Sequence, residues 1–98
     1  MAENQNRKVE NLLTGEHLGS NRLFARLTVF SGREIDYLEH HAETETYHII
    51  SGEGVYDDNG TERSAHAGGT FFCADDSGHG LRNTGSDDLV FIALIIND

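Results

Sequence analysis

Apolar residues in this chain come in short runs separated by turn residues at regular intervals, the pattern of an all-β protein built from many short strands. From Leu23 to Phe30 the chain reads Leu-Phe-Ala-Arg-Leu-Thr-Val-Phe, rich in strand formers, and ends at the turn Ser31-Gly32. Two strands are predicted next, at about Glu34 to His40 and Thr46 to Ile50, with Gly52 and Gly54 breaking the second. Val55-Tyr56 then leads into Asp57-Asp58-Asn59-Gly60, whose Asn-Gly pair is the strongest short hairpin signal in the chain, so Thr61 to Ser64 should return antiparallel. After the turn Ala67-Gly68-Gly69 come a buried-looking Thr70 to Cys73, a polar loop from Asp75 to Gly78, a short strand His79 to Arg82, the turn Asn83-Thr84-Gly85 and a closing strand Leu89 to Ile96. The acid pairs Asp57-Asp58, Asp75-Asp76 and Asp87-Asp88 read as solvated turn residues. Residues 1 to 8 are polar and read as a frayed terminus, with order from near Val9. Leu12-Leu13 starts a short strand or a helical turn, and Gly15 to Gly19 is too glycine-broken to extend either. No helical period persists over the length of a helix, and the expected fold is a β-sandwich or barrel.

The polar positions of greatest interest interrupt this pattern between Gly32 and Gly54. Apolar Ile35 and Tyr37 alternate with polar neighbours, carboxylates and imidazoles follow at Glu39, His40, His41 and Glu45, and an apolar run from Tyr47 to Ile50 closes the stretch. With Ile35 and Tyr37 inward, period-two alternation puts Glu39 and His41 on the same inward face and turns His40 outward beside Leu38. On the following strand Glu45, Tyr47 and Ile49 share a face, and His79, which begins a strand after a turn, enters the same cavity from the far edge. The opposite register places Leu38 and His40 inside, but it buries Glu34 and Asp36 with them, and unpaired buried carboxylates are expensive. Carboxylate oxygens and imidazole nitrogens converging beside an apolar interior are the makings of a divalent-metal site. Taken singly, each of these residues is ordinarily a solvated carboxylate or a surface imidazole, and it is their joint spacing that points to a metal.

The other candidates have blander readings. His40 and His66 are exposed strand histidines, His48 alternates opposite to Tyr47 and faces the second sheet or a subunit contact, and Tyr37 and Tyr47 are core residues that donate hydrogen bonds where they line the pocket. Cys73 is a small buried apolar residue with no cation adjoining it in sequence to lower its pKa.

Composition narrows the function classes. The 98 residues are enough for one domain with a modest core. The formal charge of −10 argues against nucleic acid or an anionic membrane as a partner, because both require a positive footprint. One cysteine permits no internal disulfide and fits a reducing compartment. The polar stretch Met1 to Glu10 lacks the apolar core of a secretion signal, so cytoplasmic residence is the expectation. The longest apolar run, Leu89 to Ile96, is too short to span a bilayer as a helix. That strand is apolar on both alternations, Val90, Ile92, Leu94 and Ile96 on one and Leu89, Phe91, Ala93 and Ile95 on the other. One face fills the barrel and the other needs cover, which predicts a homodimer.

The spacing of His41 and Glu45, six further residues to Gly52, and a second block running from Gly68 through His79 to Asn83 resembles the paired motifs of a small single-domain cupin. The resemblance covers roughly Gly32 to Ile96. It implies a double-stranded β-helix, a jelly-roll barrel of two antiparallel sheets. It also implies a metal site in which two histidines and a glutamate of the first motif join a histidine of the second to bind iron, manganese, zinc, nickel or copper. His41 matches the second histidine, Glu45 the glutamate and His79 the histidine of the second motif, while Glu39 stands where the first histidine is expected. The second motif departs at Ala74, where a proline is usual, at Asp76 for a glycine and at Gly69 for an acidic residue.

The metal ligands expected from this comparison are Glu39, His41, Glu45 and His79, with Glu39 alternatively an acceptor beside the ion or a general base, and Tyr37 and Tyr47 as accompanying hydrogen donors. Two histidines and a carboxylate resemble the facial set of non-haem iron oxygenases, and a second carboxylate favours iron or manganese. The expected function is metal-dependent chemistry on a small polar metabolite, of oxygenase or of isomerase or cyclase type. The alternative is a non-catalytic barrel that binds or senses a metabolite.

Overall fold

The structure is a computed structural model that describes residues 6–13, 15–18, 22–39, 43–74 and 77–97. Among the described residues nine strands form two antiparallel sheets. The first sheet carries β1 (Arg7–Leu13), β2 (Arg22–Val29), β4 (Glu43–Ser51), β7 (Thr70–Cys73) and β9 (Leu89–Asn97) in the order β1-β2-β9-β4-β7. The second carries β3 (Glu34–Glu39), β5 (Glu53–Asp58), β6 (Thr61–His66) and β8 (Gly78–Asn83) in the order β3-β8-β5-β6. A single helical turn, α1 (Gly15–Leu18), lies between β1 and β2, and among the described residues no helix is long and apolar enough to cross a membrane.

Order begins earlier than the polar composition of residues 1 to 8 suggests. Arg7 and Lys8 pair with Val29 and Thr28, because a ladder is made by backbone groups and tolerates polar side chains at a sheet edge. The edge pair Glu10↔Arg26 adds a bidentate ion pair at 3.2 Å, and the guanidinium holds the Glu10 carboxyl below its usual range.

The core lies between the sheets. Leu89, Phe91 and Ala93 of β9 point into it with Val29, Tyr47, Ile49, Tyr56, Ala65 and Leu81, while Val90, Ile92, Leu94 and Ile96 are half-buried on the other side. Full burial of a side chain such as Phe91 or Ile49 is worth about 1.5–3 kcal/mol, so this layer holds the two sheets together. The hairpin at Asn59-Gly60 has φ of 50° and 97° at the two residues, both left-handed, and Gly60 N–H donates to Asp57 Oδ1 at 2.8 Å.

One register departs from simple alternation and decides what faces the interior. Ile35 pairs with Leu81 and Leu38 with His79, so Asp36 and Tyr37 together oppose Gly80, a β-bulge. Ile35 therefore faces the core as alternation predicts, and beyond the bulge it is Leu38, not Tyr37, that shares a face with His79. Tyr37 (44 % exposed) crosses the outer face of the second sheet. A Cβ on Gly78 would overlap its phenol, and one on Gly80 would lie 3.3 Å from its backbone. Glu39 pairs with Gly78 and is exposed on that same outer side. The expectation that Ile35, Tyr37 and Glu39 share the inner face is thus corrected after Ile35. The cost held against the alternative register disappears as well, because the bulge brings Leu38 inward while Glu34 and Asp36 remain exposed.

Candidate functional site

The end of the barrel reached by the β5–β6 hairpin holds two of the three buried polar side chains among the described residues, Glu45 and His79, while Asn83 lies at the far end of β8. Glu45 comes from β4 in the first sheet and His79 from β8 in the second, each on the inward alternation of its strand. Both are buried, at 7 % and 3 % exposure, and His79 Nε2 lies 3.6 Å from Glu45 Oε1. That is outside hydrogen-bond length, so the two side chains are neighbours across the sheets rather than a direct hydrogen-bonded pair.

Aromatic rings brace the pair. The Tyr47 phenol neighbours the Glu45 carboxylate, and its ring lies 4.8 Å from the imidazole of His79. Burial, then the neighbouring carboxylate charge, pushes the Tyr47 phenol well above its ordinary pKa, so it stays a neutral donor. The Tyr56 hydroxyl is 2.9 Å from His79 Nδ1, and the Tyr56 ring stacks on Phe71 at 4.4 Å. Burial raises the Tyr56 phenol too.

Cys73 pairs with Glu45 in the β4–β7 ladder and is 2 % exposed. Its thiol is pushed up to about 11 by burial first and then by the charges of Glu45, Asp58 and Glu43. Asp58 pairs with His79 and is held by Arg63 at 2.9 Å. This corrects the reading of Asp57-Asp58 as a turn: both are the last residues of β5, and only Asn59-Gly60 turns.

The residues singled out in the sequence are therefore distributed as follows. Glu45, His79 and Tyr47 meet at the barrel mouth. Tyr37 and Glu39 lie on the outer face of the second sheet, where Tyr37 borders a shallow depression with Asp57, Gly80 and Arg82. His40 and His41 fall outside the described residues. His48 is exposed on the outer face of the first sheet, with Nδ1 2.8 Å from Thr70 Oγ1, and His66 is exposed. Sequence reasoning passed over Tyr56 and Asp58. The Asn-Gly turn fixes where both stand in the hairpin, but their meeting with His79 depends on β5 pairing with β8, which no local signal announces.

Whether this site suits a metal turns on its donors. Among the described residues no group of three histidine, cysteine or acidic side chains is close enough to hold an ion. Glu45 and His79 form a carboxylate–imidazole pair, the donor types that iron, manganese and zinc accept, and they fit part of such a shell. The carboxylates of Glu45, Asp58 and Glu43, which add to the effect of burial in raising Cys73, also favour a cation.

Comparison with known proteins places this geometry in a family. Residues 26–95 match the family model described as Cupin domain. The chain belongs to the cupin family. Its two antiparallel sheets are the cupin double-stranded β-helix, as the paired motifs led one to expect. This cupin is 41 % identical over 75 residues to the oxalate-binding protein of Thermotoga maritima, an alignment covering 76 % of this chain and 62 % of that protein. The chain thus spans about three-fifths of the length of the curated relative it matches. It superposes with a TM-score of 0.90 on the crystal structure of a predicted oxalate decarboxylase from the same organism, 35 % identical, covering 94 % of this chain and 81 % of that one. The Cupin_2 domain of an XRE family transcriptional regulator from Enterobacter cloacae superposes with a TM-score of 0.82 at 22 % identity, covering 96 % and 99 % of the two chains, a likeness of fold alone.

Proposed function

We propose that this cupin holds a divalent transition-metal ion at the barrel mouth and with it binds a small carboxylate metabolite of the oxalate type. The observation that carries this reading is the convergence of Glu45 and His79, buried and delivered by opposite sheets, to 3.6 Å. A buried carboxylate and a buried imidazole brought together from opposite sheets are the donor types that such an ion takes. Glu45 and His79 would hold the ion together with an imidazole from the histidine pair at 40–41. Iron or manganese suits this set best, with zinc, nickel or copper as further options. When bound, the ion supplies Lewis-acid polarisation and the positive charge that a dicarboxylate needs in an otherwise acidic site.

The chain's own residues do the rest. The neutral Tyr47 phenol beside Glu45 is placed to donate to its carboxylate, and Phe71 and the neutral Cys73 thiol line the interior with apolar surface. Turnover of the bound acid, by oxygenase or isomerase chemistry, is the catalytic form of this proposal. A non-catalytic oxalate-binding barrel is the second reading, favoured by what the Thermotoga relative is called. We further propose that two copies pair through the outer face of the first sheet, where Phe72 (60 % exposed) and Ile50 (50 % exposed) extend the half-buried row of Ile92, Leu94 and Ile96.

The test is the metal content of protein purified without an affinity tag, followed by calorimetric titration of the metal-loaded protein with oxalate and assay of gas exchange. Bound metal, saturable oxalate heat and gas exchange support the enzyme, and metal with heat alone supports the binding barrel. Neither metal nor heat overturns the proposal. Comparing His40→Ala with His41→Ala in metal stoichiometry identifies the third ligand.

A further inference from the structure

An anion that enters beside Glu45 and Asp58 needs positive charge, and the barrel mouth carries a cation of its own besides any bound ion. Arg63 lies on β6 two residues before Ala65, which is 2 % exposed in the core, so period-two alternation turns both to the inner face. Glu62, between Thr61 and Arg63, faces the other way and pairs with Arg82 at 3.2 Å on the outer side. In the ladder Arg63 stands opposite Tyr56, and its guanidinium leans toward the mouth, where Nε meets Asp58 Oδ2 at 2.9 Å. Asp58 is itself directly opposite His79. Burial pushes the Tyr56 phenol up, and among the groups acting on it Arg63 is the one that pulls the other way, so its charge is felt in the interior. Among the described residues it is the one Lys or Arg that alternation turns inward at this end of the barrel. Arg22, at the same end of the first sheet, pairs with Ile96 of the outer side.

We propose that Arg63 binds a carboxylate of the entering acid through its planar fork, and that Asp58 is the counter-ion it leaves to do so. This rests on the reading that the ligand is a small carboxylic acid, and not on the metal. A guanidinium suits the part because its N–H donors match both oxygens of a carboxylate, whereas an ammonium offers only a point charge. The exchange costs little. The Arg63 and Asp58 side chains are 59 % and 37 % exposed, and ion pairs in contact with water contribute little to stability. The edge strand of the second sheet thereby supplies the anion-binding group, while Glu45 and His79 come from strands inside the two sheets.

The experiment is calorimetric titration of the full-length protein with oxalate, metal-free and manganese-loaded, in the wild type and in Arg63→Met, Arg63→Lys, Asp58→Asn and Arg82→Met. Losing a charge-assisted pair should weaken oxalate binding about tenfold or more in Arg63→Met, and Arg63→Lys should fall between it and the wild type. Asp58→Asn should bind oxalate more tightly, because it removes both a competitor for Arg63 and a repelling charge. Arg82→Met removes an arginine of the same sheet, also paired with a carboxylate but on the outer face, and should stay within about twofold. Manganese affinity should not fall in Arg63→Met, since the variant takes a positive charge away from a cation's neighbourhood. Oxalate affinity within about twofold of wild type in Arg63→Met overturns the proposal, as does a parallel loss of manganese affinity, which would mark general damage to the mouth. Equal weakening in Asp58→Asn and Arg63→Met overturns it too, by showing that the ion pair is structural. Should Arg63→Met fail to fold, the opposite signs expected of Arg63→Lys and Asp58→Asn decide the matter. A wild type that takes oxalate but no manganese removes the metal from the reading above and leaves the metal-free comparison to decide Arg63. A wild type that takes no oxalate in either form overturns the carboxylate reading and this proposal with it.

Discussion

Adding an imidazole at Leu38 or at Glu39 tests the bulge in β3 directly, because the two registers give opposite answers. Leu38 pairs with His79, and directly opposed residues have Cβ atoms about 4.5–5.5 Å apart, so side chains there converge on a common point. Two imidazoles sharing an ion each need a nitrogen only about 2.0–2.1 Å from it, which that separation allows. Leu38→His should therefore add a ligand beside His79. Loss of a mere supporting partner already costs about tenfold or more in affinity, so a gained ligand should strengthen binding by at least about tenfold. The structural cost is small: Leu38 is 56 % exposed, and the buried remainder of a side chain worth about 1.5–3 kcal/mol in full burial amounts to about 1 kcal/mol. Glu39→His places its ring on the side of Gly78 and Tyr37 and should change affinity by less than about twofold, as expected of an exposed group off the site. The assay is competition for zinc or manganese against a chromogenic chelator, with a urea midpoint for each variant as the folding control. Tighter binding in Glu39→His without any in Leu38→His would refute the bulge and restore unbroken alternation. No effect in either would show that β3 does not border the site.

Four further outcomes are expected. Gly60→Val puts a β-branched residue at a φ of 97°, and it should destabilise the protein by about 1 kcal/mol or more in urea, an unchanged midpoint refuting the turn. Cys73, pushed up to about 11 from 9.0, should react with iodoacetamide at pH 8 roughly a hundredfold more slowly in the folded protein than in urea, since only the thiolate attacks; equal rates would show an open thiol. Because the raised thiol is neutral in the folded state, the stability it contributes is complete below about pH 9 and is lost as the pH rises through about 11, which a urea midpoint series would follow. Sedimentation at micromolar concentration should give twice the monomer mass, and Leu94→Glu, which charges the outer face of the first sheet, should return the monomer; a monomeric wild type would refute the pairing.

Strand and turn positions were legible in the chain because they depend on neighbours in sequence. Asn59-Gly60 turns where its backbone freedom says it should, and the apolar runs from Leu23, Thr70 and Leu89 are strands within a residue of their expected bounds. The inward placement of Glu45 and His79 was legible too, since each lies an even number of residues from a core neighbour, Tyr47 and Leu81. What faces what across the sheets was not. Leu89 to Ile96 is apolar on both alternations, and only pairing with β2 and β4 buried Leu89, Phe91 and Ala93 and left Ile92 and Leu94 outside. In β3 the period-two rule holds to Ile35 and then inverts, because Asp36 and Tyr37 share one place opposite Gly80. Nothing local encodes that extra residue; a glycine more than forty positions away accepts it. Tyr56 likewise becomes the partner of His79 only because β5 lies beside β8. Local sequence sets φ, ψ and alternation one residue at a time, whereas register and facing are settled by which backbone groups a distant strand leaves to be paired, and that is decided only when the sheets assemble.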